Sequence, residues 1–296
     1  MHTLKLSSRS EQLIETLSRE ILILDGAMGT MIQQENLSEA DFHNGTSIPD
    51  NTGHALIGCN DLLCITRPDV IERIHMRYID AGARIIETNS FNSNAISLAD
   101  YGLSHLAADI ARAAATVARK AADSAPVQVW VAGSVGPSGK SLAMANALSD
   151  RSVSFSQLSE AYYTQIRALI EGGVDLLLLE TIFDGLNAKA AILAARRAMT
   201  DCGRLLPVSL SVTLTENGRT LSGQSAAAFF TSTAHIHPLS VGFNCGFGAE
   251  QMIPFITAIS DMPAAVAAYP NAGLPDALGA YSQTPRIMAS LLSPAE

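Results

Sequence analysis

The stretch Glu171–Ala191, EGGVDLLLLETIFDGLNAKAA, contains one complete repeating unit of the chain. Gly172 and Gly173 are typical of a helix end, because glycine readily takes the positive φ found there. The run Val174–Leu179 is apolar at nearly every position, which predicts a parallel strand buried on both faces. The chain then becomes polar at Glu180, and a second helix is predicted after it. The unit is therefore helix, strand, polar strand end and helix.

The same unit recurs along the chain, and it predicts an α/β fold with a parallel sheet. The predicted strands are Ile21–Leu24, Arg84–Ile86, Val127–Ala132, Val174–Leu179, Pro207–Leu214, Ser240–Phe243 and Ala264–Ala268. Helix starts are predicted from capping residues. The helix near Pro68 is expected to have Thr66 as its N-cap and Asp69 as the other member of a capping box.

Two parallel architectures compete for this pattern, the doubly wound open sheet and the (βα)8 TIM-type barrel. The Gly-rich dinucleotide fingerprint of the open sheet is absent, because DGAMGT lacks its spacing. In a barrel, functional residues lie at the carboxyl ends of many strands, and here those ends carry Asp25, Glu87, Glu180, Cys245 and Asn271. The barrel is therefore predicted, with only seven strands readable and no eighth strand after the last helix-like segment.

Composition predicts one soluble domain over residues 1–296, since 48% of the residues are hydrophobic and 16% are charged. The net charge is −9 and Lys and Arg form no cluster, which argues against binding to nucleic acid or to an anionic membrane. No apolar run reaches the roughly 18–20 residues of a membrane span. Four scattered cysteines and an N-terminus without an apolar signal core indicate a cytoplasmic protein.

Several motifs at the predicted strand ends resemble those of a known family. They are LDGAMGTMIQ (24–33), GCNDLL (58–63), GARIIETNSFNSN (82–94), DLLLLETIFDGLNAKAA (175–191), GRTLSGQ (218–224), GFNCGFG (242–248) and YPNAGLP (269–275). Together they resemble the homocysteine-binding (homocysteine S-methyltransferase) module of cobalamin-dependent methionine synthase, from about Leu22 to Gly279. The resemblance implies a barrel enzyme that transfers a methyl group to the thiol of L-homocysteine in methionine biosynthesis.

The resemblance also implies a zinc ion, which the family holds through three cysteines. The first matches Cys245, and the other two are adjacent in a Gly-Gly-Cys-Cys-Gly-Thr motif after the eighth strand. We expect this chain to lack that strand and motif. A bound zinc ion deprotonates a thiol that otherwise titrates near ~8.5, but one protein thiolate is a poor zinc site. We therefore expect the chain by itself to bind little zinc and not to methylate homocysteine.

Cobalamin is expected only through another module, so the methyl donor would be carried by another domain or chain. The runner-up interpretation follows from the missing cysteines: a non-catalytic or truncated barrel that binds a small amino acid.

The family's substrate contacts imply roles for particular residues. Glu180 matches the acid that holds the ammonium group of homocysteine, and Asp25 with Gly26 matches the segment that holds its carboxylate end. A carboxylate and free backbone amides suit the two charges of a zwitterion. The alternative is that both acids are rim carboxylates bonded to loop amides.

Three further assignments are predicted with an alternative beside each. Glu87 and Thr88 are expected to face the same opening and to contact the substrate, or else only to line it. Asn271 matches a residue that approaches the metal when substrate is absent, but an Asn in PNAG is equally a turn residue. Cys245, taken alone, is also typical of a small buried core thiol.

Overall fold

A computed structural model of the chain describes residues 4–44, 54–143, 153–273, 281 and 283–293. Its strands form one sheet in the order β1-β2-β3-β4-β5-β6. They are β1 (Ile85–Glu87), β2 (Trp130–Val135), β3 (Leu176–Ile182), β4 (Val208–Val212), β5 (Ser240–Gly248) and β6 (Ala265–Asn271). The pairs β1–β2, β4–β5 and β5–β6 are parallel.

The helices lie between and after these strands. They are α1 (Ser8–Leu17), α2 (Met28–Gln34), α3 (Glu39–Phe42), α4 (Leu63–Thr66), α5 (Pro68–Asp80), α6 (Ala95–Leu98), α7 (Ala107–Ser124), α8 (Phe155–Gly172), α9 (Gly185–Asp201), α10 (Ala226–Thr233), α11 (Ala249–Thr257) and α12 (Pro285–Leu292). Within the described ranges, none of them combines the length and the apolar character that crossing a membrane requires.

The order of the strands decides between the two predicted architectures. Strand order follows the chain and a helix follows every strand, as in a (βα)8 TIM-type barrel. In a doubly wound sheet the order would reverse at a switch point, and the six paired strands of the described residues show no such reversal. The predicted α/β class with a TIM-type strand order is confirmed.

The first predicted strand differs from the prediction. Leu24 forms a single parallel bridge with Ile85, and the amides of Arg84 and Ile85 donate to the Ile23 carbonyl at 2.9 and 3.2 Å. The prediction of a strand buried on both faces is wrong here, because Ile21 and Ile23 are 70% and 60% exposed. This segment alternates, as a strand with one covered face does.

The start of α5 also differs from the sequence prediction. The helix begins at Pro68 with Arg67 as the N-cap residue, and no side chain caps it. Thr66 belongs to α4, where its hydroxyl donates to the Leu62 carbonyl at 3.4 Å. The Asp69 carboxylate instead accepts hydrogen bonds from Arg67 and Arg73. Proline at the first helical position removes one amide that would otherwise need a cap.

The described chain divides into two compact units. The first comprises Met1–Lys140, Val153–Leu178 and Ala190–Pro207, and the second comprises Ser141–Ser152, Leu179–Lys189 and Val208–Glu296.

A buried ion pair lies in the core of the first unit. The Asp175 carboxylate, 1% exposed, accepts hydrogen bonds from Arg119 at 2.6 Å and from the Val131 amide at 2.9 Å. The Ser10 hydroxyl donates to the Asp175 carbonyl at 2.8 Å. This one residue therefore joins α1, α7 and β2 to the start of β3.

Candidate functional site

In the first unit, the structure brings Asp25 and Glu87 together. Asp25 is buried, and its amide donates to the Ile85 carbonyl at 2.9 Å. The Asp25 carboxylate accepts the Glu87 amide at 3.0 Å. This amide belongs to a strand residue, and the substrate role of Asp25 and its rim alternative both stay predictions.

Gly26 lies against an aromatic ring next to this carboxylate. A Cβ at Gly26 would lie 2.7 Å from a ring carbon of Tyr78, so only glycine fits without a shift of that ring. The Tyr78 hydroxyl donates to the Ala27 carbonyl at 3.2 Å. Burial, and then the charge of Asp25, raise the pKa of Tyr78 to about 12, so the phenol stays protonated and can donate.

Thr88 is buried in a polar network that joins β1 to β2. Its hydroxyl accepts the Ser134 amide at 2.9 Å and shares a hydrogen bond of 2.7 Å with the Ser90 hydroxyl. The Ser90 hydroxyl donates in turn to the Ser134 carbonyl at 2.8 Å. These contacts give Thr88 a structural role at the ends of the two strands, whatever it contacts besides.

In the second unit, Glu180 and Cys245 lie in the carboxyl-terminal halves of β3 and β5. Glu180 is buried, and Cys245 is exposed. Although the residue is exposed as a whole, neighbouring protein atoms desolvate its thiol. Desolvation, and then the negative charge of Glu180, raise the pKa of Cys245, while hydrogen bonds from Thr181 and Asn244 oppose the rise. The carboxylate and the thiol are therefore close enough to interact.

A bulge in β5 carries Cys245 and sets its direction. Asn244 pairs with Tyr269 and Gly248 pairs with Asn271, so four steps along β5 span two steps along β6. Bulges bend a strand and re-aim its side chains, and they are common beside active sites. Asn271 thus ends the strand that runs next to the bulge, as the sequence predicts, and its carbonyl accepts the Gly273 amide at 2.8 Å.

Two residues at these strand ends have a left-handed backbone. Thr181 has φ of 53° and Cys245 has φ of 58°. This region costs an L-residue roughly 1–2 kcal/mol, and a β-branched residue such as threonine is a true outlier there. The surrounding structure must therefore hold both residues in place. No sequence signal marks Thr181, because its φ cannot be read from its type.

Asn244 holds these strand ends together. Its carboxamide oxygen accepts the Thr181 amide at 3.0 Å and the Ser211 hydroxyl at 2.6 Å. Its nitrogen donates to the Thr181 hydroxyl at 2.6 Å and reaches Glu180 at 3.4 Å. The sequence assigns Asn244 no role beyond its place in the GFNCGFG motif. A signal was present, because asparagine is depleted in strands and a buried one needs partners.

The residues that the structure describes do not by themselves form a zinc site. Across the described ranges, no three His, Cys, Asp or Glu side chains are placed so that they could hold a metal ion. Cys245 is one thiolate, whereas structural and catalytic zinc sites take three or four protein ligands. This donor set does not fit a zinc ion without further ligands.

Comparison with known proteins assigns the family. Residues 22–294 match the homocysteine S-methyltransferase family. The metallated form of the homocysteine methyltransferase MmuM from Escherichia coli has 23% sequence identity and a TM-score of 0.70, over 95% of this chain and 98% of that chain. The oxidized form of the same protein has 22% identity and a TM-score of 0.69, over 90% of this chain and 86% of that chain.

These solved structures support the fold. The family match spans nearly the whole sequence and includes Asp25, Glu87, Glu180 and Cys245. The chain therefore belongs to the homocysteine S-methyltransferase family, a family of methyltransferases.

Proposed function

We propose that this chain binds L-homocysteine and that its family's reaction, transfer of a methyl group to the homocysteine sulfur, gives methionine. The observation that carries the proposal is the buried Glu180 carboxylate beside the Cys245 thiol, in the carboxyl-terminal halves of β3 and β5. A buried carboxylate is stabilised by a cationic partner, and the ammonium group of an amino acid is such a partner. The family match and the MmuM likeness support the same substrate.

The reaction requires the homocysteine sulfur to meet the methyl carbon as a thiolate. The homocysteine sulfur attacks the methyl carbon, the new S–C bond forms, and the donor leaves with the electron pair of the broken bond. The thiol proton passes to solvent, because the thiolate is the nucleophile. In this proposal Glu180 fixes the ammonium end, so that the sulfur is presented in one orientation.

The predicted roles of the first unit's residues stay proposals. We propose that Gly26 and its neighbouring amides hold the substrate carboxylate, and that Asp25, Glu87 and Thr88 shape that region. Asn271 is proposed as a further polar contact at the end of β6.

Zinc is proposed as the group that would deprotonate the substrate thiol, with Cys245 as its first ligand. Because the described residues supply one thiolate, we derive no step of the reaction from the metal. This same observation favours the second candidate, an amino-acid-binding protein that does not catalyse. Cobalamin, if it is the donor, is proposed to act from another module.

The test is a binding and turnover experiment on Glu180→Gln. Removing one partner of a buried charge-assisted bond costs on the order of 2–5 kcal/mol, so calorimetry should show homocysteine affinity reduced roughly 30-fold or more. Glu250→Gln is the matched control, because it removes the same charge from an exposed position at the start of α11 in the same unit. Homocysteine affinity in that control should stay within about twofold of wild type.

Methionine formation and zinc content then separate the two candidates. Methylcobalamin and S-adenosylmethionine serve as donors of two chemistries, and zinc per chain is measured by atomic spectroscopy. Binding with turnover supports the methyltransferase, and binding without turnover or zinc supports the amino-acid-binding protein. Unchanged homocysteine affinity in Glu180→Gln would rule out the role given to that carboxylate.

A further inference from the structure

The carboxamide of Asn244 contacts the ends of three strands in the second unit. Its partners are on β3, at Glu180 and Thr181, on β4, at Ser211, and on its own strand β5, at Cys245. Asn244 itself is 3% exposed. A buried amide with this many partners fixes its neighbours as well as itself.

The orientation of this carboxamide follows from the chemistry of its partners. The Thr181 backbone amide is an obligatory donor, so the atom 3.0 Å from it must be the carboxamide oxygen. The nitrogen therefore points the other way, to the Thr181 hydroxyl at 2.6 Å, Glu180 at 3.4 Å and the Cys245 sulfur at 3.6 Å. All the donors of Asn244 face groups at the proposed homocysteine site.

The same contacts involve both strained residues. Thr181 has a positive φ and is bonded to Asn244 through its amide and its hydroxyl. Cys245 also has a positive φ and directly follows Asn244 in the bulge of β5. Gly246 continues the turn with φ of 72°, and a Cβ there would lie 3.0 Å from the Leu214 carbonyl oxygen. An unfavourable backbone persists where its neighbours over-determine it, and Asn244 is the neighbour common to both.

We propose that Asn244 is a positioning residue that sets the directions of the Glu180 carboxylate and the Cys245 thiol. Its oxygen holds Thr181 in the left-handed conformation, and its nitrogen restrains the two functional side chains. This inference rests on the proposed function for its effect on homocysteine, but the contact itself is testable without substrate. A side chain supported by such hydrogen bonds is held within the narrow geometry that a binding site needs.

Two substitutions at Asn244 separate the role of its carboxamide oxygen as acceptor from the role of its nitrogen as donor. Asn244→Asp keeps an oxygen that accepts from Thr181 and Ser211 but loses every donor. Asn244→Ala loses both. Ser225→Ala is the matched control: it removes the N-cap bond of α10, from the Ala228 amide at 3.3 Å, in the same unit and away from these strand ends.

Hydrogen exchange of the Thr181 amide tests the contact without substrate. Exchange should accelerate about tenfold or more in Asn244→Ala and stay slow in Asn244→Asp and in Ser225→Ala, because only the first variant removes the acceptor. Equal exchange of this amide in wild type and Asn244→Ala would overturn the proposal.

Homocysteine affinity, measured by calorimetry, tests the positioning. A misplaced binding group commonly reduces activity or binding by roughly 10- to 100-fold, and we expect that loss in both Asn244 variants. Thr181→Val removes the hydroxyl and should lower homocysteine affinity. Thr181→Ser keeps the hydroxyl and should retain most of that affinity. Wild-type affinity in Asn244→Asp, or a loss no larger than that of Ser225→Ala, would leave Asn244 with a structural role only. If wild-type protein does not bind homocysteine, the proposed function fails while the exchange result still stands.

Discussion

The two compact units differ in where they place their unusual residues. The first unit buries a charged pair, Asp175 with Arg119, where the start of β3 meets α7 and β2. The second unit places its unusual residues at strand ends, where Thr181 and Cys245 have positive φ and β5 bulges. Removing one partner of the first arrangement would leave an uncompensated buried charge, whereas the second is unfavourable by itself and is retained where a binding site is proposed.

The strands of the two units also differ in how deeply their residues are buried. Every residue of β2 in the first unit is buried, whereas β6 in the second unit has residues that alternate between partial burial and exposure. A fully buried strand tolerates little change, and an edge strand with a wet face tolerates more. Loss of a buried side chain should therefore cost more stability on β2 than on β6.

The largest effect is expected from Asp175→Ala. The substitution leaves Arg119, only 15% exposed, without its buried partner, so the free energy of unfolding should fall by about 3–5 kcal/mol. Asp123→Ala is the matched control, because Asp123 is bonded to the same Arg119 at 3.0 Å but is 48% exposed. That change should cost less than about 1 kcal/mol. Urea denaturation measures both, and equal losses would contradict the contrast.

A smaller effect is expected from alanine at two strand glycines, one in each unit. A Cβ at Gly242 in β5 would overlap the Ala267 carbonyl oxygen and lie 2.6 Å from its carbon, and this backbone cannot move without opening the β5–β6 pair. Gly242→Ala should therefore cost about 1–3 kcal/mol or more. A Cβ at Gly133 in β2 would lie 3.3 Å from side-chain atoms of Leu169 and Val174, which can adjust.

Gly133→Ala should change stability by less than about 1 kcal/mol, partly because alanine restricts the unfolded chain. Thermal and urea denaturation of the two variants give the comparison. A larger loss at Gly133 than at Gly242 would reverse it.

A change in the pH dependence of stability is expected from His75 in the first unit. His75 is completely buried in α5, and burial lowers its pKa from 6.5 to about 4. The unfolded chain therefore takes up the proton first as the pH falls. The stability that His75 contributes is present above pH 6.5 and is lost between there and pH 4, by up to about 1.4 kcal/mol per pH unit.

The contribution of Asp61, in the same unit, changes with pH in the opposite direction. Burial raises its pKa from 3.8 to about 6, against hydrogen bonds from Ser93 and the Asn92 amide. The folded state now holds the extra proton, so this contribution is lost as the pH rises from 3.8 to 6. The two slopes oppose each other between pH 4 and 6.

Urea denaturation at several pH values in this window should therefore separate them. His75→Leu should give stability that falls with rising pH relative to wild type, and Asp61→Asn should give stability that rises. The double variant should return to the wild-type slope. Parallel profiles for all four proteins would show that neither group is titrating as described.

The repeating unit was predictable because buried parallel strands are continuous apolar runs. Val174–Leu179 predicts β3, which the structure extends to Ile182, so that Glu180 lies inside the strand. The same reasoning failed at Ile21–Leu24, because an apolar run does not say whether one face or both are covered. The capping-box prediction failed at Thr66, because Arg67 is the N-cap residue of α5 and Asp69 forms ion pairs instead.

The residue types of the candidate site were predictable from the sequence, but their geometry was less so. Strand-end position and motif pointed to Asp25, Glu180 and Cys245, but the structure places Glu180 inside β3 and Cys245 inside the bulged β5. Their substrate and metal roles stay predictions. The bulge of β5 and the left-handed backbone of Thr181 follow from contacts that are distant in sequence, such as the 3.0 Å bond to Asn244. No local pattern encodes such contacts.

The order of the strands also affects how the protein is made. Each strand from β2 onward pairs with the strand synthesised just before it, and no pair between the described strands joins the two ends of the sheet. The entropy lost in closing a loop grows slowly with its length, and contacts that are near in sequence form sooner. The sheet can therefore be assembled in step with translation, from its amino-terminal strand onward, while later strands are still inside the ribosome.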